Sequence, residues 1–137
     1  MNDERVRQFM RRGAITCSEG TSLRFVAQIM VVNRIRYCVV TNEKHEVVGL
    51  ISADNIINAF GMDFDQTKAR DLLSPDTIVT VTPLTILKEA VALMAEKRIE
   101  HLIVVSERAG SKAVIGMLCS VDIIANMARR REQDVSS

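Results

Sequence analysis

The stretch "VVGLISADNII" (47–57) reads as a strand that ends in the first turn of a helix, and the chain writes nearly the same corner again at 114–124 as "VIGMLCSVDII". In both, β-branched and apolar residues run up to and just past a glycine, Gly49 or Gly116, and a pair of isoleucines seven and eight residues later starts a helical face. Six residues after the glycine the copies differ: Asn55 stands in the first and Asp122 in the second.

Outward from the corners the duplication continues. At an offset of 64, residues 15–42 ("ITCSEGTSLRFVAQIMVVNRIRYCVVTN") align with 79–106 ("VTVTPLTILKEAVALMAEKRIEHLIVVS") without a gap, and seven of the 28 positions are identical, among them Thr21/Thr85, Met30/Met94, Arg34/Arg98 and Ile35/Ile99. "SERAGSKA" is three residues longer than "NEKHE", which shifts the offset to 67 beyond it. A length change of that kind belongs in a loop.

Each copy predicts the same elements. A short strand (about 14–17; 78–81) leads to Thr21 or Thr85 as a helix cap. Leu23, Val26, Ala27 and Met30, and again Leu87, Ala90, Val91 and Met94, then follow the spacing of one buried helical face. "YCVV" and "HLIVV" read as strands, as do "VVGLI" and "AVIGML", and second helices start near Ala53 and Ser120, the first of them stopped by Gly61. The prediction is an α/β (α+β) chain of two β-α-β-β-α repeats, 1–62 and 63–137, joined by a linker over about 61–77. A unit of about 60 residues buries too little surface alone, so the copies are expected to pack together about a pseudo-two-fold axis.

Composition narrows the function classes. Hydrophobic residues make up 47% of the 137, enough for a core, and 18 Lys plus Arg against 17 Asp plus Glu leave no field that would draw nucleic acid. "ARRRE" (128–132) has no aromatic platform beside it and suits the negative end of the last helix. No apolar run approaches the roughly 18 residues of a membrane span, and "MNDERVRQ" lacks the apolar stretch of a signal peptide, so the expectation is a cytoplasmic protein. Cys17, Cys38 and Cys119 are odd in number, far apart and set among apolar residues, as buried free thiols are. Asp63 and Asp65 fall short of a calcium loop, two distant histidines do not make a zinc site, and no nucleophile-base set or glycine-rich phosphate loop has local support. No metal, no resident cofactor and no catalysis are expected.

With the duplicated unit, "RIEHLIVV", "VIGMLCSVDII" and "ARDLLSPDTIVTVTP" in place, essentially the whole chain resembles a tandem pair of CBS domains, the arrangement called a Bateman module. The resemblance implies a non-catalytic regulatory module that binds an adenosine-type ligand (AMP, ADP, ATP, S-adenosylmethionine or NAD) in clefts between its repeats, forms a homodimer and acts on an effector protein.

In that family the corner carries Ser or Thr three residues after the glycine and Asp six after it. An Asp in a first helical turn is favoured as an anion by the helix dipole, and its two oxygens can accept from both ribose hydroxyls. The same pattern is equally an ordinary capping box that needs no ligand. The first copy keeps Ser52 but has Asn55; the second keeps Asp122 but has Cys119, a poor cap, which points to Ser120 as the capping residue. By resemblance, the strand end and following turn (Thr16, Cys17, Ser18; Thr80, Val81, Thr82) would meet the base, with Ile35 and Ile99 beside the ring. The positions after "RI" (Arg36 and Tyr37; Glu100 and His101) would face phosphates, making Arg36 and His101 the candidates and Glu100 a repulsive neighbour. The resemblance leaves a ligand-free dimerisation scaffold open as the alternative.

Overall fold

A computed structural model describes residues 3–73, 78–108 and 110–130. A 3-10 turn, Val6–Gln8, and a two-residue strand β1, Arg11–Arg12, open the chain. The first copy follows as β2 (Thr16–Ser18), α1 (Leu23–Asn33), β3 (Tyr37–Thr41), β4 (Val47–Ser52) and α2 (Ala53–Asn58). After a second 3-10 turn, Ala69–Leu72, the other copy gives β5 (Thr80–Val81), α3 (Leu87–Lys97), β6 (His101–Val105), β7 (Val114–Cys119) and α4 (Ser120–Arg129). This is the predicted β-α-β-β-α order, twice.

The chain divides into two compact units, Ile15–Ile78 and Met1–Ala14 with Val79–Ser137. The first holds a three-stranded sheet, β2-β3-β4, and the second a four-stranded one, β1-β7-β6-β5. In each, the short strand runs parallel to the central one and the corner strand antiparallel to it. β3 is buried along its whole length and β6 along all but its first residue, as suits central strands covered on both faces, whereas β4 alternates. The registers shift at equivalent points, between Val40 and Thr41 and between Val104 and Val105. α1 sets Val26 and Met30 against Cys38, Val40 and Ile51; α3 sets Ala90 and Met94 against Leu102, Val104 and Leu118.

The helix ends depart from expectation. α1 is capped by Ser22, whose Oγ accepts from the Phe25 N–H at 3.2 Å, and α3 starts after Ile86 with no side-chain cap. Thr21 and Thr85 face backward instead: their Oγ1 atoms accept from the N–H of Ser18 (3.1 Å) and Thr82 (3.0 Å) and so close the turn after each short strand. Arg34 and Arg98, identical in the repeat, both sit at φ 54° as left-handed caps, with the Ile35 and Ile99 N–H groups reaching back to the carbonyls of Met30 (3.0 Å) and Met94 (3.1 Å). α2 ends at Asn58, and Gly61 lies in the turn beyond, at φ 97°. In "GMDFDQ", Asp63 Oδ1 accepts from the N–H groups of Asp65 (3.0 Å) and Gln66 (3.2 Å), while Asp65 grips Arg24.

The boundaries 1–62 and 63–137 follow the copies; the units in space reassign the lead-ins. The segment before each copy packs onto the other one. Val6 N–H donates to Thr85 O (2.9 Å), Arg7 N–H to Pro83 O (2.9 Å), and Leu87 N–H to Glu4 O (2.7 Å). In the other unit the counterparts are Ala69 to Thr21 (2.7 Å), Arg70 to Glu19 (3.0 Å), and Leu23 to Thr67 (3.0 Å). Val6 and Ala69, both fully buried, occupy matching places in the two cores. The corner glycines are explained by this crossing. A Cβ on Gly116 would meet the Arg11 carbonyl oxygen and, at 3.0 Å, the Met10 methyl; on Gly49 it would meet the Leu73 side chain.

Candidate functional site

At the first corner the helix start is closed by bonds between Ser52 and Asn55. The Asn55 N–H donates to Ser52 Oγ (3.3 Å), and Asn55 Oδ1 accepts from the Ser52 N–H (2.8 Å) and hydroxyl (3.1 Å). This is a reciprocal capping box. The Ala53 N–H is taken by the carbonyl of Arg36 at 2.8 Å, so Arg36 ties the corner down through its backbone while its side chain stands exposed. Tyr37, opposite Ser52 in the ladder, is buried.

The second corner is built differently. α4 has Cys119 as its N-cap, whose side chain does not cap the helix; Ser120, expected as the cap, is already the first helical residue and gives its N–H to Glu100 O at 2.9 Å. A cysteine thiol is too weak an acceptor to draw the N–H of the third helical residue, so no box forms. Asp122 is therefore not a capping residue. Its two oxygens accept from Arg11, Oδ2 from Nε at 2.7 Å and Oδ1 from Nη2 at 3.0 Å, with the two side chains 54% (Arg11) and 27% (Asp122) exposed. Arg11 lies on β1, at the far edge of the sheet, and nothing in the repeat pattern marks it; the signal for it was the basic pair in the lead-in "VRQFMRRG".

The ladders decide which expected residues share this end of each sheet. His101, half-buried, lies opposite Cys119, and Glu100 bonds the corner, so both stand beside Asp122's helix start. Ile35 and Ile99 precede those positions and pack on their own cores. β5 runs parallel to β6 with Thr80 opposite Ile103 and Val81 opposite Val104, which carries Thr82 toward the Val105 end. At about 3.3 Å per residue, four residues of β6 put that end roughly 13 Å from the corner. Thr16, Cys17 and Ser18, opposite Val39, Val40 and Thr41, run away from Ser52 in the same manner. The register does not bring Ser18 or Thr82 to the corners, and Val81 and Cys17 are buried in the cores.

Two surface grooves lie elsewhere. One of about 260 Å³ in the second unit is lined by Phe9, Leu87, Val91, Ile123 and Met127, with Glu4 and Arg130 paired at 2.5 Å. Another, about 410 Å³ in the first unit, involves Arg24, Val31, Val32 and Phe64. In "ARRRE", Arg129 ends α4 and Arg130 also donates to Asn126 (2.8 Å); residues 131 and 132 lie outside the described residues. No described helix is long and apolar enough to cross a membrane.

All three cysteines are free and buried, as expected. Cys17 and Cys38 lie in one core cluster on neighbouring strands. The hydrogen bond between the two thiols, with burial added, pushes Cys38 far above the ordinary thiol range, and the same bond pulls Cys17 down.

The class is that of two small α+β units in tandem, each with a strand that runs directly into a helix. The CBS domain family model matches residues 6–61 and 69–129, and the chain belongs to that family. It is 30% identical over 127 residues to the uncharacterized protein MK0525 of Methanopyrus kandleri, covering 90% of this chain and 63% of that protein, so it spans less than two-thirds of this relative's length. Among solved structures, the CBS domain pair of protein MJ0100 in complex with 5-methylthioadenosine and S-adenosyl-L-methionine superposes with a TM-score of 0.80 at 18% identity, over 93% of this chain and 98% of that one. The cytosolic domain of the Mg2+ channel MgtE in complex with ATP gives 0.73 at 24% identity, over 86% of this chain and 46% of that one.

Proposed function

We propose that the protein is a non-catalytic regulatory module that senses an adenosine-type ligand (AMP, ADP, ATP, S-adenosylmethionine or NAD), with ribose held by Asp122 at the second corner. One observation carries the reading: Asp122 stands in the first turn of α4 with no capping role, both oxygens turned to a side chain that solvent can reach. A carboxylate so placed matches a vicinal diol, one oxygen to each hydroxyl. The complexes of two structural relatives with adenosyl compounds and with ATP support the choice of ligand class. Ligand binding would act by favouring one of two arrangements that an effector protein reads.

The module is proposed to work as a homodimer. Ile57 on α2 is 70% exposed and Ile124 and Met127 on α4 are 59% and 64% exposed, apolar side chains that a second copy could cover, whereas Met94 is consumed by the core. These faces also favour the second reading, a ligand-free scaffold whose only business is assembly. A melting screen with the five ligands separates the two. At about 100 times the dissociation constant a ligand adds roughly 2.7 kcal/mol, several degrees for a chain of this size. An unmoved melting curve at millimolar concentrations of all five leaves the scaffold; light scattering that gives the monomer mass at tens of micromolar removes the dimer.

A further inference from the structure

We infer that the homodimer is joined by a knob and a groove: Phe60 of each copy seats in the apolar groove on the second unit of the other. The inference rests on the homodimer reading and names the two surfaces that meet.

Phe60 and Met127 are the same position of the repeat, at the offset of 67, yet the two copies use it in opposite ways. α2 ends after six residues at Asn58. In the turn that follows, the Phe60 N–H donates to Ile57 O (3.0 Å), Gly61 sits at φ 97°, and Phe60 is left 90% exposed. The second copy has Ala128 in place of that glycine, α4 runs ten residues to Arg129, and Met127 stays on the helix as a wall of that unit's groove. A left-handed glycine stops a helix where an alanine carries it on. One early stop thus turns a groove wall into a projecting ring.

The two surfaces suit each other in size and in charge. The groove, walled by Phe9, Leu87, Val91, Ile123 and Met127, holds about 260 Å³, more than the roughly 150 Å³ that takes up a benzene ring. An aromatic ring almost wholly in water gains most from such cover. Residues 54–67 carry three aspartates and no Lys or Arg; Asp65 is answered by Arg24 within its own unit, while Asp54 and Asp63 stand exposed on either side of Phe60 in the sequence. At the groove, Lys88 and Arg130 outnumber Glu4. Opposite charges at the rim steer and orient such a contact. In a two-fold pair residue i meets j and j meets i, so the same contact is made twice, and Met127 is covered by it.

Sedimentation equilibrium of the wild type, Phe60→Ser and Val91→Glu tests the pairing; both side chains are exposed, and urea melts confirm that the variants fold. The wild type is expected to be a dimer. Each variant alone should dimerise at least about tenfold more weakly, one for want of the ring and the other because a carboxylate stands in the groove. An equimolar mixture of the two should associate more tightly than either alone, because the intact ring of the Val91→Glu chain meets the intact groove of the Phe60→Ser chain. A wild-type dimer that either variant leaves unweakened, or a mixture no tighter than the separate variants, overturns the knob and groove and leaves the homodimer standing. A wild type that stays monomeric overturns the homodimer and this contact with it.

Discussion

Arg11 and Asp122 form a two-bond ion pair across 111 residues of sequence, while Asn55, the counterpart of Asp122 in the first copy, bonds only within its own helix turn. The duplicated corner therefore carries two different devices. One is a local cap, and the other is a charge whose partner comes from the opposite end of the chain.

The difference predicts opposite outcomes for matched substitutions. Asn55→Ala removes a reciprocal capping box and should lower unfolding stability by about 1 kcal/mol, without weakening adenosyl binding. Asp122→Ala removes no cap; its stability cost is that of a half-exposed ion pair, under about 1 kcal/mol, while binding should fall at least tenfold through loss of two charge-assisted bonds. Urea titration and calorimetry on the two proteins check both halves. Equal binding losses at the two positions would count against the division of roles.

The corner glycines should also part company. Gly116→Ala sets a methyl group against a backbone carbonyl and so forces β1 off the sheet; a loss of about 2–4 kcal/mol is expected. Gly49→Ala meets the Leu73 side chain, which can rotate, and about 1 kcal/mol is expected. Melting curves of the two variants under identical conditions give the comparison.

Alkaline pH should destabilise the first unit through its thiol pair. In the unfolded chain Cys17 and Cys38 each lose a proton near the ordinary thiol value of 9.0. In the folded core a second thiolate beside the first is shut out, so the native state keeps at least one proton that the unfolded state has released. Stability from this group is complete below about pH 9 and declines above it, by about 1.4 kcal/mol per pH unit for one retained proton. Cys38→Ala should flatten that alkaline slope in urea melts between pH 8 and 10.5, whatever its effect at neutral pH.

Arg34 and Arg98 hold a left-handed conformation that costs a side-chain-bearing residue roughly 1 kcal/mol. Arg34→Gly and Arg98→Gly are each expected to raise the melting temperature by a few degrees. A fall at either site would mean that the arginine side chain contributes more than its backbone costs.

Much of this architecture was legible in the sequence because the two periodicities were clean. The central strands read from "YCVV" and "HLIVV", and the helical faces from Leu23, Val26, Ala27 and Met30 and from Leu87, Ala90, Val91 and Met94, of which Val91 is instead exposed, at the rim of the face that Ala90 and Met94 bury. The caps were not, since "GTS" offers adjacent hydroxyls and only the fold decides that Thr21 turns back to Ser18 while Ser22 turns forward. β1 was invisible: two exposed arginines carry no strand signature, and their pairing with β7 is set by tertiary contact. For the site, the unlike pair Asn55 and Asp122 was readable, and so was the weakness of Cys119 as a cap. That Thr82 belongs to the other end of the sheet follows from a parallel register that periodicity does not encode.

The crossing of the lead-in segments has a consequence for the order of assembly. The Ala69–Leu72 turn follows its unit directly, so the Ile15–Ile78 unit has all its parts as soon as that stretch of chain exists. The other unit must recruit Val6–Gln8 from more than seventy residues away and β1 from more than a hundred, and it cannot shut its core around Val6 or seat Arg11 on Asp122 until the last helix has formed. Closing that loop is the entropically dearest step of the pathway, which makes the second unit the late folder and its N-terminal edge the first part to open again.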